Sequence, residues 1–301
     1  MIERLRPMLA VASEPFDSDE HEFELKWDGI RALACVETAG FRLWGREEAD
    51  YRPRYPELEF LAGLPSGTLL DGELVILQEG RADLPAMLRR HGLTGPEKIR
   101  RGARLCPVTY VVFDLPYLRG ASLCSRPLRE RRRMLAELLE RHRHPQLCFS
   151  AGVAESGRDF FAAAAAQGHE GVMAKHLASR YLPGKRSAAW RKIKPVGMLP
   201  CVIIGYRPAG NGFSSLLVAA QQQGSLKYAG QLTSGFTERV KAELAPLLTR
   251  RRIRSQPLVH CPLKGIWIEA DLYCLVRFLQ GTASGRLRGA SFAGLLSNDQ
   301  G

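Results

Sequence analysis

A chain of 301 residues with net charge +12, 45% hydrophobic and 25% charged, has room for one large domain or two smaller ones and an ordinary globular composition. That charge points to a polyanionic partner, nucleic acid before membrane. Seven scattered Cys with no Cys-x-x-Cys argue against a zinc site or disulfide framework and for a reducing cytosol. No segment reads as a signal peptide, and the longest apolar run, 160–166, is too short to span a bilayer.

Residues 1–20 read as a polar lead-in with Pro7, Pro15 and an acidic cluster. Strands are predicted from there through Trp44, with a hairpin turn at Gly40. Within them lies Lys26-Trp27-Asp28-Gly29-Ile30-Arg31, between apolar alternation at Phe23 and Leu25 and an apolar run over 30–36. Gly29 allows a tight turn, so Lys26 is expected at a strand end beside a bend. Taken alone, the segment fits a solvated surface turn as well as a site.

A polar stretch over 45–56 carries Arg46, Arg52 and Arg54, and 56–64 reads as a short helix. Residues 69–77 form an apolar strand interrupted by Asp71 and Glu73. A strand buried on both faces does not carry acids without partners. Either acid could cap a turn at Gly72. Glu73, followed by four apolar residues, is the preferred site residue.

Residues 81–104 are basic and helical in parts, and 108–115 is a strand ending near Phe113-Asp114. Ser125-Arg126-Pro127 is predicted to start a helix with Ser125 as its cap. Leu128, Leu135, Leu138 and Leu139 give that helix an apolar face, and Arg129, Arg131, Arg132 and Arg133 a solvated one. An Ala-rich helix over 159–167 stops at Gly168. Glu170 then leads into a strand ending at Lys175, and alternation places Lys192 and Lys194 on one strand face. Residues 195–200 read as a linker. Short strands at 202–206, 216–221, 226–231, 266–268 and 272–278, with one helix at 237–249, suit a small barrel of the oligonucleotide-binding (OB) kind.

A Lys amine is protonated at neutral pH unless burial or nearby cations lower its pKa. Lys192, Lys194 and a divalent metal would supply such a field, and would also bind a triphosphate. Glu73 and Glu170 offer the metal hard oxygen ligands, and Phe113 offers a purine a face to stack on. The reaction these parts fit is attack of Lys26 on the α-phosphate of a nucleotide.

The ordered set KWDGIR, LDGEL, FDLPYL, EGVMAK and WRKIK resembles the nucleotidyltransferase motifs of ATP-dependent DNA ligases. The small bacterial enzymes of end-joining repair are the nearest pattern, over residues 7 to about 295, and RPMLA, WIEADLYCLVRF and ASFAGLL extend it. The resemblance implies an α+β chain: an antiparallel-sheet adenylation domain over 1–195, then an OB-fold β-barrel domain over 196–301. It implies ATP, and Mg²⁺ or Mn²⁺, as cofactors. Lys26 would take AMP from ATP as a phosphoramidate, pass it to the 5′-phosphate of a nick, and release it as the 3′-hydroxyl seals the strand.

Residue by residue, Glu24 matches the position that recognises adenine, and Arg31 and Glu73 match groups around ribose and phosphate. Glu73 and Glu170 match the metal-site carboxylates, and Phe113 the adenine-stacking aromatic. Arg46, Lys192 and Lys194 match phosphate-binding cations, and Arg186 a further conformational or phosphate arginine. Trp190 is read as packing.

The implied partner is nicked or broken duplex DNA in repair and recombination, with end-joining proteins as candidate recruiters. The chain would act as a monomer in the bacterial cytoplasm at the nucleoid, away from membranes. With no large DNA-binding domain expected before residue 20, the two domains alone would grip DNA, with steep salt dependence.

One departure stands out. The family places Arg and Lys shortly after the Gly-Leu of the Ser-Phe-x-Gly-Leu segment, to orient the leaving pyrophosphate. Here no Arg or Lys follows Leu295, and Arg286 and Arg288 are the nearest substitutes. Two further expectations therefore stand beside ligation: a nick- or end-binding protein impaired in self-adenylation, and an RNA ligase or capping-type nucleotidyltransferase, which shares the Lys-x-Asp-Gly chemistry.

Overall fold

Paired strands make up most of the chain's regular structure. The computed structural model describes residues 2–46, 48–210, 212–222, 224–253, 257–278, 280–281 and 285–296. It divides into two units, residues 1–194 and 195–301.

Among the described residues the first unit holds two large sheets and a two-stranded ribbon, Leu77–Gln78 with Arg81–Ala82. Four strands open the chain: β1 (Leu9–Ala12), β2 (Ser18–Leu25), β3 (Ile30–Glu37) and β4 (Gly40–Trp44). The expected lead-in is thus partly sheet, because β1 pairs in parallel with the strand Arg186–Ile193. That strand, Val172–His176, β2 and Gly152–Glu155 complete the first sheet in that order.

The chain then crosses to a second sheet, where β3 pairs with β4 on one side and with β5 (Leu69–Val75) on the other. Beyond β5 come the strands Thr109–Leu118 and Leu147–Phe149. Both faces of β3 are buried: Ala32, Ala34 and Val36 face the main core, and Leu33 and Cys35 pack with Trp44 and Leu69. β5 is continuous through Asp71, Gly72 and Glu73, so neither acid caps a turn. A Cβ on Gly72 would meet the Val111 carbonyl at 2.5 Å and the Tyr110 ring at 2.6 Å. Close approach of backbone to an aromatic, rather than a bend, requires glycine there.

Helices α1 (Leu84–His91), α2 (Pro96–Leu105), α3 (Leu128–Arg141) and α4 (Gly157–Ala166) flank the sheets. α3 starts at Leu128 with Pro127 at its cap position and no side-chain cap, so Ser125 does not serve. Its arginine face is not all solvated: Arg131 and Arg132 are buried, at 0% and 3% exposure. They are drawn inward by buried acids. Asp114 accepts from Arg131 at 2.7 and 2.8 Å, and Glu22 and Glu24 lie 2.6 and 3.0 Å from Arg132.

In the second unit the expected linker is mostly strand: Gly197–Ala209 runs unbroken for 13 residues. Its first part pairs with Tyr273–Phe278 and its later part with Gly212–Gln222 and Ile266–Trp267. Register shifts at Ile203/Gly205 and Arg207/Pro208 mark where it is irregular between these roles. Ser225–Leu232 and Ser291–Leu295 extend the sheet at its two edges. Helix α5 (Glu238–Arg250), capped by the Thr237 hydroxyl, packs Leu244 and Leu248 into the unit's own core. The unit is OB-like, but among the described residues no strand pairing closes the expected barrel. Residues 297–301, where the family's terminal cations were sought, lie outside the described residues.

Candidate active site

Lys26 sits where β2 of one sheet hands the chain to β3 of the other. Its backbone N–H donates to Gly171 O at 2.9 Å. Gly171 has φ +143°, and a Cβ there would lie 2.1 Å from Ile193 O, so only glycine lets the two segments approach this closely. Gly29 answers a similar need: its Cβ would fall 2.2 Å from Leu74 O. The Trp27 indole N–H anchors the same loop on Ser150 Oγ at 3.1 Å.

Around this loop lies a cavity of about 360 Å³, formed within the first unit. All ten residues singled out in the sequence line it: Glu24, Lys26, Arg31, Arg46, Glu73, Phe113, Glu170, Arg186, Lys192 and Lys194. With Lys175 added, seven cations face four acids there, so the cavity is net positive and suits a polyphosphate. The Glu170 carboxylate takes the Lys26 ammonium on one oxygen and the Lys194 ammonium on the other. Arg186 donates to Ala10 O, fastening β1 against the rim.

Burial pushes the Glu73 carboxyl up to about 7, against the pull of Arg31, Lys26 and Arg46. Burial, then the neighbouring Arg186, Lys194 and Lys26 charges, lowers the Lys192 pKa. Asp71, fully buried, accepts from Arg31 through both carboxylate oxygens at 2.6 Å and from the Tyr181 hydroxyl at 2.7 Å. Asp71 thus fixes the arginine, and Glu73 is left to face the cavity.

Phe113, 8% exposed, has the Arg31 guanidinium 4.5 Å and the Lys175 ammonium 4.2 Å from its ring centroid. Trp190 packs edge-on against Phe113 and Tyr181 and is 1% exposed, a packing role that also finishes the cavity wall. Glu24 is buried, 2.8 Å from Lys175 and 3.0 Å from Arg132.

Two parts escaped the sequence reading. Lys175 is a fully buried cation whose pKa burial lowers and Glu24 raises. Its one signal was a Lys closing an apolar strand. Met8, Leu9 and Ala10 line the cavity from the lead-in; the RPMLA match was their one signal, and it assigned them no role.

Among the described residues no three His, Cys, Asp or Glu side chains cluster to hold a metal alone. Glu73 and Glu170 line the same cavity as Lys26, and two carboxylates there suit a Mg²⁺ site completed by phosphates and water.

Two family models match the chain: the ATP-dependent DNA ligase domain over residues 7–194 and the ATP-dependent DNA ligase C-terminal region over 209–298. The chain is 37% identical over 313 residues to the multifunctional non-homologous end joining protein LigD of Pseudomonas aeruginosa, covering 98% of this chain and 36% of that protein. The crystal structure of the ligase domain of M. tuberculosis LigD aligns with TM-score 0.57 at 32% identity, covering 97% of this chain and 95% of that one. A mycobacterial DNA ligase D complexed with ATP and MES aligns with TM-score 0.54 at 32% identity over the same shares. This chain belongs to the ATP-dependent DNA ligase family. It spans little more than a third of the length of the LigD relatives.

Proposed function

We propose that this chain seals nicks or breaks in duplex DNA with ATP, in end-joining repair. The observation that carries the reading is the convergence on one cavity of ten residues drawn from positions 24 to 194. Lys26 Nζ, once it has lost its proton, attacks the α-phosphorus of ATP. A P–N bond forms and pyrophosphate leaves. The 5′-phosphate of the nick then attacks the same phosphorus, the P–N bond breaks, and the amine regains its proton. Finally the 3′-hydroxyl attacks the 5′-phosphate, and AMP leaves.

Glu24 offers a carboxylate acceptor to the adenine amino group, and Phe113 one face to the ring. Lys192, Lys194, Arg46 and Arg186 draw charge from the phosphates, with Arg31 held by Asp71 beside the ribose. Glu73 and Glu170 would hold Mg²⁺ or Mn²⁺, which supplies charge neutralisation on the triphosphate when bound. A net positive cavity and a chain of charge +12 suit a monomer working on DNA in the bacterial cytoplasm at the nucleoid, where end-joining proteins would recruit it. No described helix is long and apolar enough to cross a membrane.

The test is incubation with ATP labelled on the α-phosphate and Mg²⁺, without DNA, beside Lys26→Ala. Acid-labile label on the parent chain and none on the variant is expected. A parent that takes no label yet seals a pre-adenylated nick would place the defect in the first step. Neither label nor sealing would sink the ligase reading and favour a nick-binding role.

A further inference from the structure

The cations of α2 have no side-chain partner among the described residues. This ten-residue helix buries none of its side chains, and Lys98, Arg100, Arg101 and Arg104 all stand exposed on it. Arg89, exposed near the end of α1, adds a fifth cation. Among the described residues none of the five makes an ion pair or hydrogen bond through its side chain. On other helices some surface arginines are paired, Arg133 with Glu137 and Arg239 with Glu243. The exposed Arg129, Arg141 and Arg250, which lack an ion pair among the described residues, are scattered rather than gathered on one short helix.

α2 has only Glu97 to offer, and its cations repeat at spacings that place like charges together: Lys98 with Arg101, Arg101 with Arg104, Arg100 with Arg104. Each such pair is unfavourable to an isolated helix. Arg100, Arg101 and Arg104 line a shallow concavity of about 700 Å³ with Glu97, Glu57 and Pro56. Glu57 does not neutralise them, since Arg90 already holds both its oxygens at 3.0 Å. Residues 81–105 carry seven cations against two acids, a large share of the chain's net +12.

We propose that α2, with Arg89, is a second DNA contact that takes the phosphate backbone of the duplex, outside the nucleotide cavity. The proposal rests on the ligase reading for the identity of the polyanion. Arginine suits phosphate because its planar fork pairs two oxygens at once. A protein partner fits less well, because the aromatic anchors that accompany arginine at protein interfaces are absent from α2. The patch reads no sequence; it adds sequence-independent grip to a chain acting at nicks.

The test is the triple variant R100Q/R101Q/R104Q, which touches no cavity residue and replaces only exposed side chains. Affinity for a nicked duplex is measured across a salt series, beside ligation kinetics and self-adenylation without DNA. The slope of log affinity against log salt should fall by about 1 for each contact removed, up to about 3. KM for nicked DNA should rise about tenfold, in line with the lost phosphate contacts. kcat and self-adenylation should stay unchanged, and R100K/R101K/R104K should keep most of the slope.

An unchanged slope and KM in a triple variant that still self-adenylates would overturn the proposal. So would an unchanged DNA slope with loss of binding to polyglutamate, which would assign the patch to an acidic protein. A parent chain that neither takes label from ATP nor seals a pre-adenylated nick would count against the ligase reading alone, because the salt slope on nicked duplex still reads the patch.

Discussion

At the scale of single residues, Glu24 ties the cavity to the body of the first unit. Its carboxylate meets the Lys175 ammonium and the Arg132 guanidinium, all three nearly fully buried. Removing one partner of a buried pair leaves charge without compensation. Glu24→Gln is expected to cost about 3–5 kcal/mol, read as a fall in melting temperature, and to raise KM for ATP. Adding Lys175→Met should return part of the lost stability without restoring KM, which separates the structural cost from the nucleotide contact. Gly29→Ala drives a Cβ to within 2.2 Å of Leu74 O. The β3–β5 ladder must shift, at about 1–3 kcal/mol as for an overpacked core. Lys26 moves with it, so self-adenylation should slow by more than KM for ATP changes.

At the scale of elements, α3 is held by the two arginines that a helical-wheel reading leaves in solvent. Arg131 grips Asp114 with both partners at 0% exposure. Asp114→Asn should cost about 3–5 kcal/mol by the same reasoning. The strand β2 brings a pH dependence. Burial, then His176 and Arg191, lowers the pKa of His21; Glu20 opposes, and Ser18 Oγ and the Phe16 and Phe23 rings pack against it. Burial lowers His91 and His169 as well. Each binds its proton less readily folded than unfolded, so unfolding takes up protons as pH drops through about 6.5. The histidines' share of stability is therefore present above that pH and lost below it, while the Glu73 carboxyl, pushed up to about 7, acts in the opposite sense over the same window. In a Glu73→Gln background, where that opposing group is removed, the melting temperature should be lower at pH 5.5 than at pH 7.5, and adding His21→Gln should reduce the difference.

For the whole molecule the governing quantity is the net charge of +12. Phosphate contacts would dominate DNA affinity, so binding to nicked duplex should fall by orders of magnitude, about 10³-fold or more, between 50 and 200 mM salt if six or more phosphates are engaged. Self-adenylation, which needs no DNA, should change far less over that range. An equal loss of both would mean that salt acts on the nucleotide cavity and not on DNA.

The sequence by itself determined the parts whose chemistry is local. Strand alternation around Lys26, the Gly-bearing turn at Gly40, the helix over 237–249 and the Gly168 stop all rest on short-range rules, and the structure has a strand, turn, helix or helix end at each. The order of the motifs named the family, because residue types in sequence survive without coordinates. Tertiary structure alone decided where charge is buried. Arg131 and Arg132 lie on a helix face that period and composition assign to solvent, and only the approach of Asp114, Glu22 and Glu24 from other elements makes burial favourable. Lys175 and the Met8–Ala10 segment join the cavity for the same reason: pairing with strands more than 150 residues away along the chain sets their position. A single chain in one dimension carries no record of which distant partner will neutralise a buried charge, and that neutralisation decides whether a charged residue faces water or the core.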